Sequence, residues 1–374
     1  MRDDLRLKQI AHARQALLAE GAELTEALAG AWYDRAWIMQ SWRRCLAQGQ
    51  RPDASVAFDP VPAGAQGRAA DAHAGLLVAA RTELERLGAA VAPIRYFALL
   101  TDARGTVIGT AGAIDHSEPH THAIARVGVD LSERNIGTSA IGAALGEKIP
   151  VWLHRGEHFF RDTSVYSCAG APLFGPWGEC VGMLDVTGVQ APERPELKHL
   201  VAQSARSIEE ALVLAQPHRL RVHLAWPAAG SSSGGEGGDA LLCLDAEGGV
   251  AGANRAAREM LPALQAPQGA GAHAADLFAV PWPSLFDLAR HGEPCTVPLW
   301  SGLRVRISVH AAGQGASPAR HTPSLKTLET ELIHQAVRDA GGRVDAAAKA
   351  LGVSRATVYR RLAPRGPRQG SDEA

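Results

Sequence analysis

SLKTLETELIHQAVRDAGGRVDAAAKALGVSRATVYRRLAP, residues Ser324–Pro364, is the stretch from which the rest of this chain is read. Leu325, Leu328, Leu332, Ala336 and Val337 recur at helical spacing, which predicts a first helix with one apolar face. Gly341-Gly342 ends it, because glycine takes the left-handed conformation that a helix C-terminus needs. A second short helix turns Val344, Ala347, Ala348 and Leu351 inward. Gly352 makes the tight turn, and Ser354 is placed to N-cap a third helix. That helix buries Val358 and Leu362 and presents Arg355, Thr357, Tyr359, Arg360 and Arg361 on its other face. Small residues at the helix crossing, glycine at the turn and arginines beyond it predict a three-helix helix-turn-helix that reads double-stranded DNA. The competing reading is a helical hairpin with a solvated basic face. The charge distribution favours the former. The whole chain has a net charge of -1, yet Arg355, Arg360, Arg361, Arg365 and Arg368 meet no acidic residue before Asp372. The stripe Leu325, Leu328, Leu332 and Val337 requires a partner, so a homodimer reading a pseudo-palindrome is expected.

At 374 residues, 46% of them apolar, the chain has room for two or three domains with true cores. No apolar run approaches the ~20 residues of a membrane span. The N-terminus, MRDDLRLKQIAHARQ, is charged and lacks a signal-peptide core, so a cytoplasmic protein is expected. Cys45, Cys168, Cys180, Cys243 and Cys295 are scattered, odd in number and without a C-x-x-C pair, as reduced core thiols would be. Gly/Ser-rich Pro227–Asp239 and AAGQGASPARHTP (Ala311–Pro323) read as linkers, and Gln50–Ala70 as a loop. The resulting division is an N-terminal helical segment (1–48), a large mixed domain (70–215), a small one (240–310) and the terminal module (324–363).

The large domain alternates signals in an α+β manner. Asp71–Val91 has Leu76, Leu77, Leu84, Leu87 and Val91 at helical spacing. Arg95–Thr101, the turn Asp102–Gly105 and Thr106–Gly109 predict a hairpin. A short helix is predicted over Thr138–Leu145 and a strand over Pro150–His154. Val165–Phe174 and Cys180–Thr187 predict a second hairpin, and Glu196–Leu214 a closing helix. Short turns between consecutive strands predict an antiparallel sheet flanked by helices. The small domain echoes this grammar: LCLDAEGGVAG (242–252) parallels LLTDARGTVIG (99–109), either by common descent or because D-A-x-G is a good hairpin turn.

Several of these segments carry a family resemblance. SWRRCLAQG (Ser41–Gly49) resembles the opening signature of the acetoin/glycerol-metabolism type of bacterial transcriptional regulators. NIGTSAIGAALGEKIPVWLHRGEHF (Asn135–Phe159) and CAGAPLFGPWGECVGMLDVTG (Cys168–Gly188) resemble the GAF sensory domain of that family. Ala240–Met260 is weakly similar to the start of a PAS domain, and the C-terminal module resembles the Fis type. The resemblance implies a GAF-like antiparallel sheet with flanking helices, a small degenerate PAS-like segment and a Fis-type module. It implies a regulator responding to a small-molecule effector of unknown identity, with RNA polymerase or a related regulator as further partner. One departure stands out. The family's AAA+ ATPase, which remodels sigma-54 polymerase, needs a G-x-x-x-x-G-K-[ST] phosphate loop, and no Gly-Lys dipeptide occurs in this sequence. Regulation without an ATPase is therefore expected, directly or as an accessory pairing with full-length sigma-54 activators.

GAF domains as a class hold small molecules between the sheet and its covering segments. By position, Phe97, Leu99, Thr138, Ile141, Trp152, His154, Cys168 and Met183 are the pocket candidates, with plain core packing as the alternative for each apolar one. Asn135 and Gly137 are expected to shape the turn into the helix. His116, His120 and His122, with His154 and His158, match no zinc spacing, so no metal is expected. Gly230–Gly234 matches the nucleophile-elbow pattern but has no strand before it. Cys168 and Cys180 flank the second hairpin, which leaves a thiol redox enzyme as an alternative class. No catalytic residue and no cofactor are otherwise indicated.

Overall fold

The computed structural model describes residues 2–20, 35–58, 61, 64–227, 240–265, 271–312, 333, 336–337, 340, 342–351 and 353–362. Leu325, Leu328, Leu332 and Gly341 of the expected first helix lie outside them, as do 228–239 and 313–323 of the expected linkers.

The chain opens with α1 (Arg2–Glu20) and α2 (Ala36–Ala47), then α3 (Ala65–Ala72) and α4 (Ala74–Val91). The end of the expected loop at 50–70 is thus helical, and the single helix expected from Asp71 is two, broken at His73. The first sheet follows: β1 (Phe97–Asp102), β2 (Val107–Gly112), β3 (Val151–His154), β4 (Tyr166–Phe174) and β5 (Cys180–Val189). Between β2 and β3 lie α5 (Pro119–Ile124), α6 (Glu133–Ile136) and α7 (Ala140–Glu147). The α7 helix starts after Thr138 because Ser139 caps it, accepting the Gly142 N–H at 3.1 Å. Asn135 and Gly137 do shape its approach: Asn135 donates to Asp130 at 2.8 Å, and Gly137 sits at φ +65° against Phe159 and Phe160. All pairings are antiparallel, in the order β2-β1-β5-β4-β3.

Strand alternation divides this sheet between two cores. Ala98, Leu100, Ala171, Leu184 and Val186 face α4 and α8 (Leu197–Leu214), where Leu84, Leu87, Val201 and Ile208 are buried. Phe97, Leu99, Leu153 and Met183 face the other way, against Ile136, Ile141 and Ala144.

A second five-stranded antiparallel sheet has the order β8-β7-β6-β10-β9. Its strands are β6 (Leu220–Ala225), β7 (Ala240–Leu244), β8 (Val250–Ala253), β9 (Cys295–Pro298) and β10 (Arg304–Ala311). Helices α9 (Arg255–Met260), α10 (Ala274–Leu277) and α11 (Ser284–His291) cover one face. The small unit thus takes its central strand from upstream of residue 240, where Leu220, Val222 and Leu224 alternate inward. Its order repeats that of the first sheet, with the middle strand supplied from before the edge hairpin instead of after it. The two D-A-x-G turns occupy the same edge in both sheets. In each, one aspartate oxygen accepts two backbone N–H groups: Arg104 and Thr106 on Asp102, Glu247 and Gly249 on Asp245. Gly105 and Gly248 take the positive φ that the turn demands.

The N-terminal helices are fastened to the first sheet by polar contacts. Glu157 is 0% exposed and accepts two hydrogen bonds from Arg35, with Arg6 at 3.5 Å and the His154 N–H at 2.8 Å. The Trp152 ring lies under both guanidiniums, 4.3 Å from that of Arg35 and 5.2 Å from that of Arg6. Ser41 bonds Glu133 and Thr138, Trp42 donates to the Glu157 carbonyl at 3.0 Å, and Arg44 pairs with Glu133 and Glu147. Arg14 donates to the carbonyls of Gly156, His158 and Phe159.

The two sheets meet at the β4–β5 turn. The Pro176 carbonyl accepts both the Ala253 N–H at 3.0 Å and the Arg258 guanidinium. Val213 of α8 packs with Leu241 and Cys243. Truncating Glu157→Ala would leave the half-buried Arg35 guanidinium without a carboxylate, while Arg6 keeps Glu193, and the expected loss is about 3 kcal/mol. Urea unfolding checks this; a loss below about 1 kcal/mol would show the clamp to be ornamental.

Candidate ligand cavity and nucleic-acid interface

Central strand β5 carries an ionisable residue where the alternation calls for an apolar one. Asp185 pairs with Leu99 on one side and Gly170 on the other, and it is 0% exposed. Its Oδ2 accepts the Thr187 hydroxyl at 2.5 Å, while Oδ1 has no hydrogen-bond partner. Thr187 is 3.2 Å from Cys168 Sγ, which in turn lies 3.5 Å from His158 Nε2. These four side chains form the polar side of a cavity of about 20 Å³. Leu99, Ile124, Leu131, Ile136 and Ile141 form much of its apolar side, and Tyr166 and Thr163 also line it. That volume admits a single water and no organic molecule, so a ligand has to displace its lining to enter.

Burial sets the protonation states here. Desolvation raises the Asp185 carboxyl to about 7, against a small lowering by the Thr187 hydrogen bond. It lowers the His158 imidazole to about 4 and pushes the Cys168 thiol well up. Cys168 is therefore a poor nucleophile. The register also separates it from Cys180: Cys168 pairs with Thr187, whereas Cys180 pairs with Phe174 at the far end of the hairpin, ~20 Å along the strand. The geometry removes the basis for a redox pair between these thiols.

Of the eight pocket candidates, Leu99, Ile141 and Cys168 line the cavity. The others do not. Thr138 is fully buried on Ser41 and Cys45. Trp152 is held under arginines, and His154 bonds Ser167 at 2.6 Å. Met183 packs over Gly170, and Phe97 lines a separate surface cleft. Sequence reasoning missed Asp185, Thr187 and His158, although a lone aspartate inside the apolar strand Val181–Val186 is a legible signal. His116 precedes α5 and His120 and His122 lie within it, where the His120 carbonyl accepts the Tyr166 hydroxyl at 2.9 Å.

At the C-terminus, α12 (Val344–Leu351) and α13 (Arg355–Leu362) pack on Ile333, Ala336, Ala347, Ala348, Leu351 and Val358. Ile333 is a core residue outside the predicted apolar stripe. Val337, assigned to a dimer stripe, is half-buried and packs against this core. The Ser354 carbonyl receives the Val358 N–H at 3.2 Å. Outward-facing Tyr359 is 60% exposed, and Arg355 lies exposed on an ion pair with Asp345 at 2.9 Å. The side chains of Thr357, Arg360, Arg361 and Leu362 lie outside those described.

Comparison with known proteins assigns both segments to families. Residues 8–210 match the family model described as MimR, N-terminal domain, and residues 324–363 match that of the bacterial regulatory protein, Fis family. The chain is 30% identical over 236 residues to the acetoin catabolism regulatory protein of Cupriavidus necator, covering 60% of this chain and 34% of that protein. It is 26% identical over 179 residues to the acetoin dehydrogenase operon transcriptional activator AcoR of Bacillus subtilis, covering 47% and 29% respectively. It thus spans about a third of the length of these curated relatives. Among solved structures, the Escherichia coli DhaR(N)–DhaL complex is similar at a TM-score of 0.44 and 16% identity, covering 74% of this chain and 99% of that one.

Titration of the cavity should be visible in stability. Asp185 is raised from 3.8 to about 7, so the folded protein keeps a proton that the unfolded chain has released. Its contribution to stability therefore declines as pH rises through that window. His158, lowered from 6.5 to about 4, does the opposite and costs stability as pH falls from 6.5 towards 4. Asp185→Asn removes only the first effect. Relative to the unmodified protein, that variant should gain on the order of a few kcal/mol between about pH 5 and about pH 7.5. Urea titrations at the two pH values measure it, and a difference that does not vary with pH refutes it.

Proposed function

We propose, because the chain belongs to the MimR N-terminal domain family and carries a Fis-family segment, that it is a ligand-responsive, sequence-specific DNA-binding transcription regulator. In this reading residues 70–215 are a GAF-like sensor and the second sheet is a PAS-like unit. The terminal module is a three-helix Fis-type helix-turn-helix, dimeric through Leu325, Leu328, Leu332 and Val337. Arg355, Tyr359, Arg360 and Arg361 contact phosphates and base edges, with Thr357 making shorter contacts and Ser354 as the cap.

One oxygen atom carries the sensing half. Oδ1 of Asp185 is buried and unpartnered, and leaving such a group unmet is costly. A ligand that donates a hydrogen bond to it recovers that energy, while the apolar lining selects a small neutral body. The ligand class is therefore a small neutral molecule with one donor group, such as a hydroxyl. Binding opens a cavity closed on α7, and α7 touches the segments that hold the N-terminal helices through Glu133 and Thr138.

Regulation proceeds without ATP hydrolysis in this reading. The interval between the two family segments is occupied by the second sheet, and the sequence holds no phosphate-loop motif. Loss of binding-linked ordering, not nucleotide turnover, would pass the signal to the DNA-binding module.

Two measurements test the proposal. A thermal-shift screen of small alcohols and phenols should find a stabiliser, worth ~2.7 kcal/mol at a hundred times its dissociation constant. Asp185→Leu should abolish that shift and leave DNA affinity unchanged. In mobility shifts on the protein's own promoter, Tyr359→Ala with Arg360→Ala should weaken specific binding by ~1–3 kcal/mol for each base edge left unread. Unchanged promoter affinity in that double variant rules out the DNA-reading role of α13.

A further inference from the structure

The half of the second sheet that α8 leaves open carries arginines and histidines and, on its strands, no carboxylate. Leu220, Val222 and Leu224 of β6, with Val305, Ile307 and Val309 of β10, fill the core beneath the sheet. Side chains alternate along a strand, so the opposite face shows Arg221 and His223 from β6. Arg304, Arg306, Ser308 and His310 join them from β10. The register sets these in rows: His310 opposite Arg221, Ser308 opposite His223, Arg306 between Ala225 and Thr296. The His223 and His310 rings lie 6.1 Å apart. Arg219 extends the row, since its carbonyl accepts the Ala312 N–H at 2.7 Å. Arg219, Arg304 and Arg306 are exposed. Helix α8 packs chiefly on the β7–β8 side, where Glu210 marks the acidic margin of the patch.

We propose that this face binds the phosphate backbone of the duplex that the C-terminal helices read, adding sequence-independent affinity. The inference rests on the DNA-reading role given above to α13. Three physical points support it. Arg304 and Arg306 stand two residues apart, ~6.8 Å along one strand. Phosphates on one DNA strand recur every ~3.4 Å of axis, so the two guanidiniums can meet separate phosphates of the same strand. The guanidinium fork suits phosphate oxygens, and such contacts need no base edge and therefore no deep groove fit. Finally, the chain from Ala312 to Ser324 can span at most ~43 Å, little more than one ~35 Å turn of duplex. A basic face tethered that close to a polyanion lies within its reach.

The test uses the full chain and a mixed-sequence 40-base-pair duplex, with affinity followed by anisotropy as salt is raised. Arg304→Gln with Arg306→Gln should lower the slope of log K against log salt by ~1.8, about 0.9 for each phosphate no longer neutralised. Arg304→Lys with Arg306→Lys should retain most of that slope. The preference for the promoter over the mixed duplex should hold in both. An unchanged slope in the glutamine variant, with thermal unfolding like that of the unmodified protein, overturns the proposal. Arginine-dependent binding of polyglutamate with an unchanged DNA slope also overturns it, in favour of an acidic protein partner. If the unmodified chain fails to bind the duplex even at low salt, the DNA-reading role itself falls, which is a different failure.

Discussion

A carboxylate removed from water, Glu157, is the constraint from which the sensor half is organised. Such a group is tolerable inside a protein only when its charge is met and its lone pairs are filled. Here Arg35, Arg6 and a backbone N–H fill them. Both arginines come from the N-terminal segment, whose helices also bury Ile10, Ile38 and Trp42 against Phe159 and Phe160, so the ion pairs fix the register of an interface that apolar packing holds. Trp152, beneath both guanidiniums, adds cation–π attraction and excludes solvent from the pairs.

Asp185 is the opposite case in the same domain. It too is fully buried, but it has one hydroxyl donor and no cation. Desolvation raises its carboxyl to about 7, so burial there comes at the expense of its charge. The contrast separates structural from receptive polarity. Glu157 is saturated and holds the fold together. Asp185 is unsaturated, and its missing partner is the natural definition of what the cavity would accept.

The strands and closing helices were legible because alternation and helical spacing survive in the sequence, as in Leu220-Val222-Leu224 or Leu84-Leu87-Val91. Boundaries slipped where a cap or break decided them, as at Ser139 and His73. The cavity was only partly legible. Sheet position points to Leu99, Ile141 and Cys168, but Trp152 and Thr138 are bound by the N-terminal helices. That error has a physical source: Ser41, Trp42 and Arg44 were readable as a family signature, but nothing local reveals that their partners are Glu133, Thr138 and Glu157, about a hundred residues on. Long-range polar pairing leaves no period in a sequence.

The middle strand of the second sheet, β6, is joined directly to the last helix of the first domain, and this has a bearing on the order of assembly. During synthesis β6 emerges already anchored by α8, before either hairpin that will flank it has been made. The second sheet therefore grows outward from a strand whose position the first domain dictates, β7–β8 on one side and β9–β10 on the other. An evolutionary exchange of the small domain cut at its first hairpin would leave that strand behind, so recombination can succeed only at a junction upstream of Leu220. The boundary between the two domains therefore lies in the few residues between the end of α8 and Leu220.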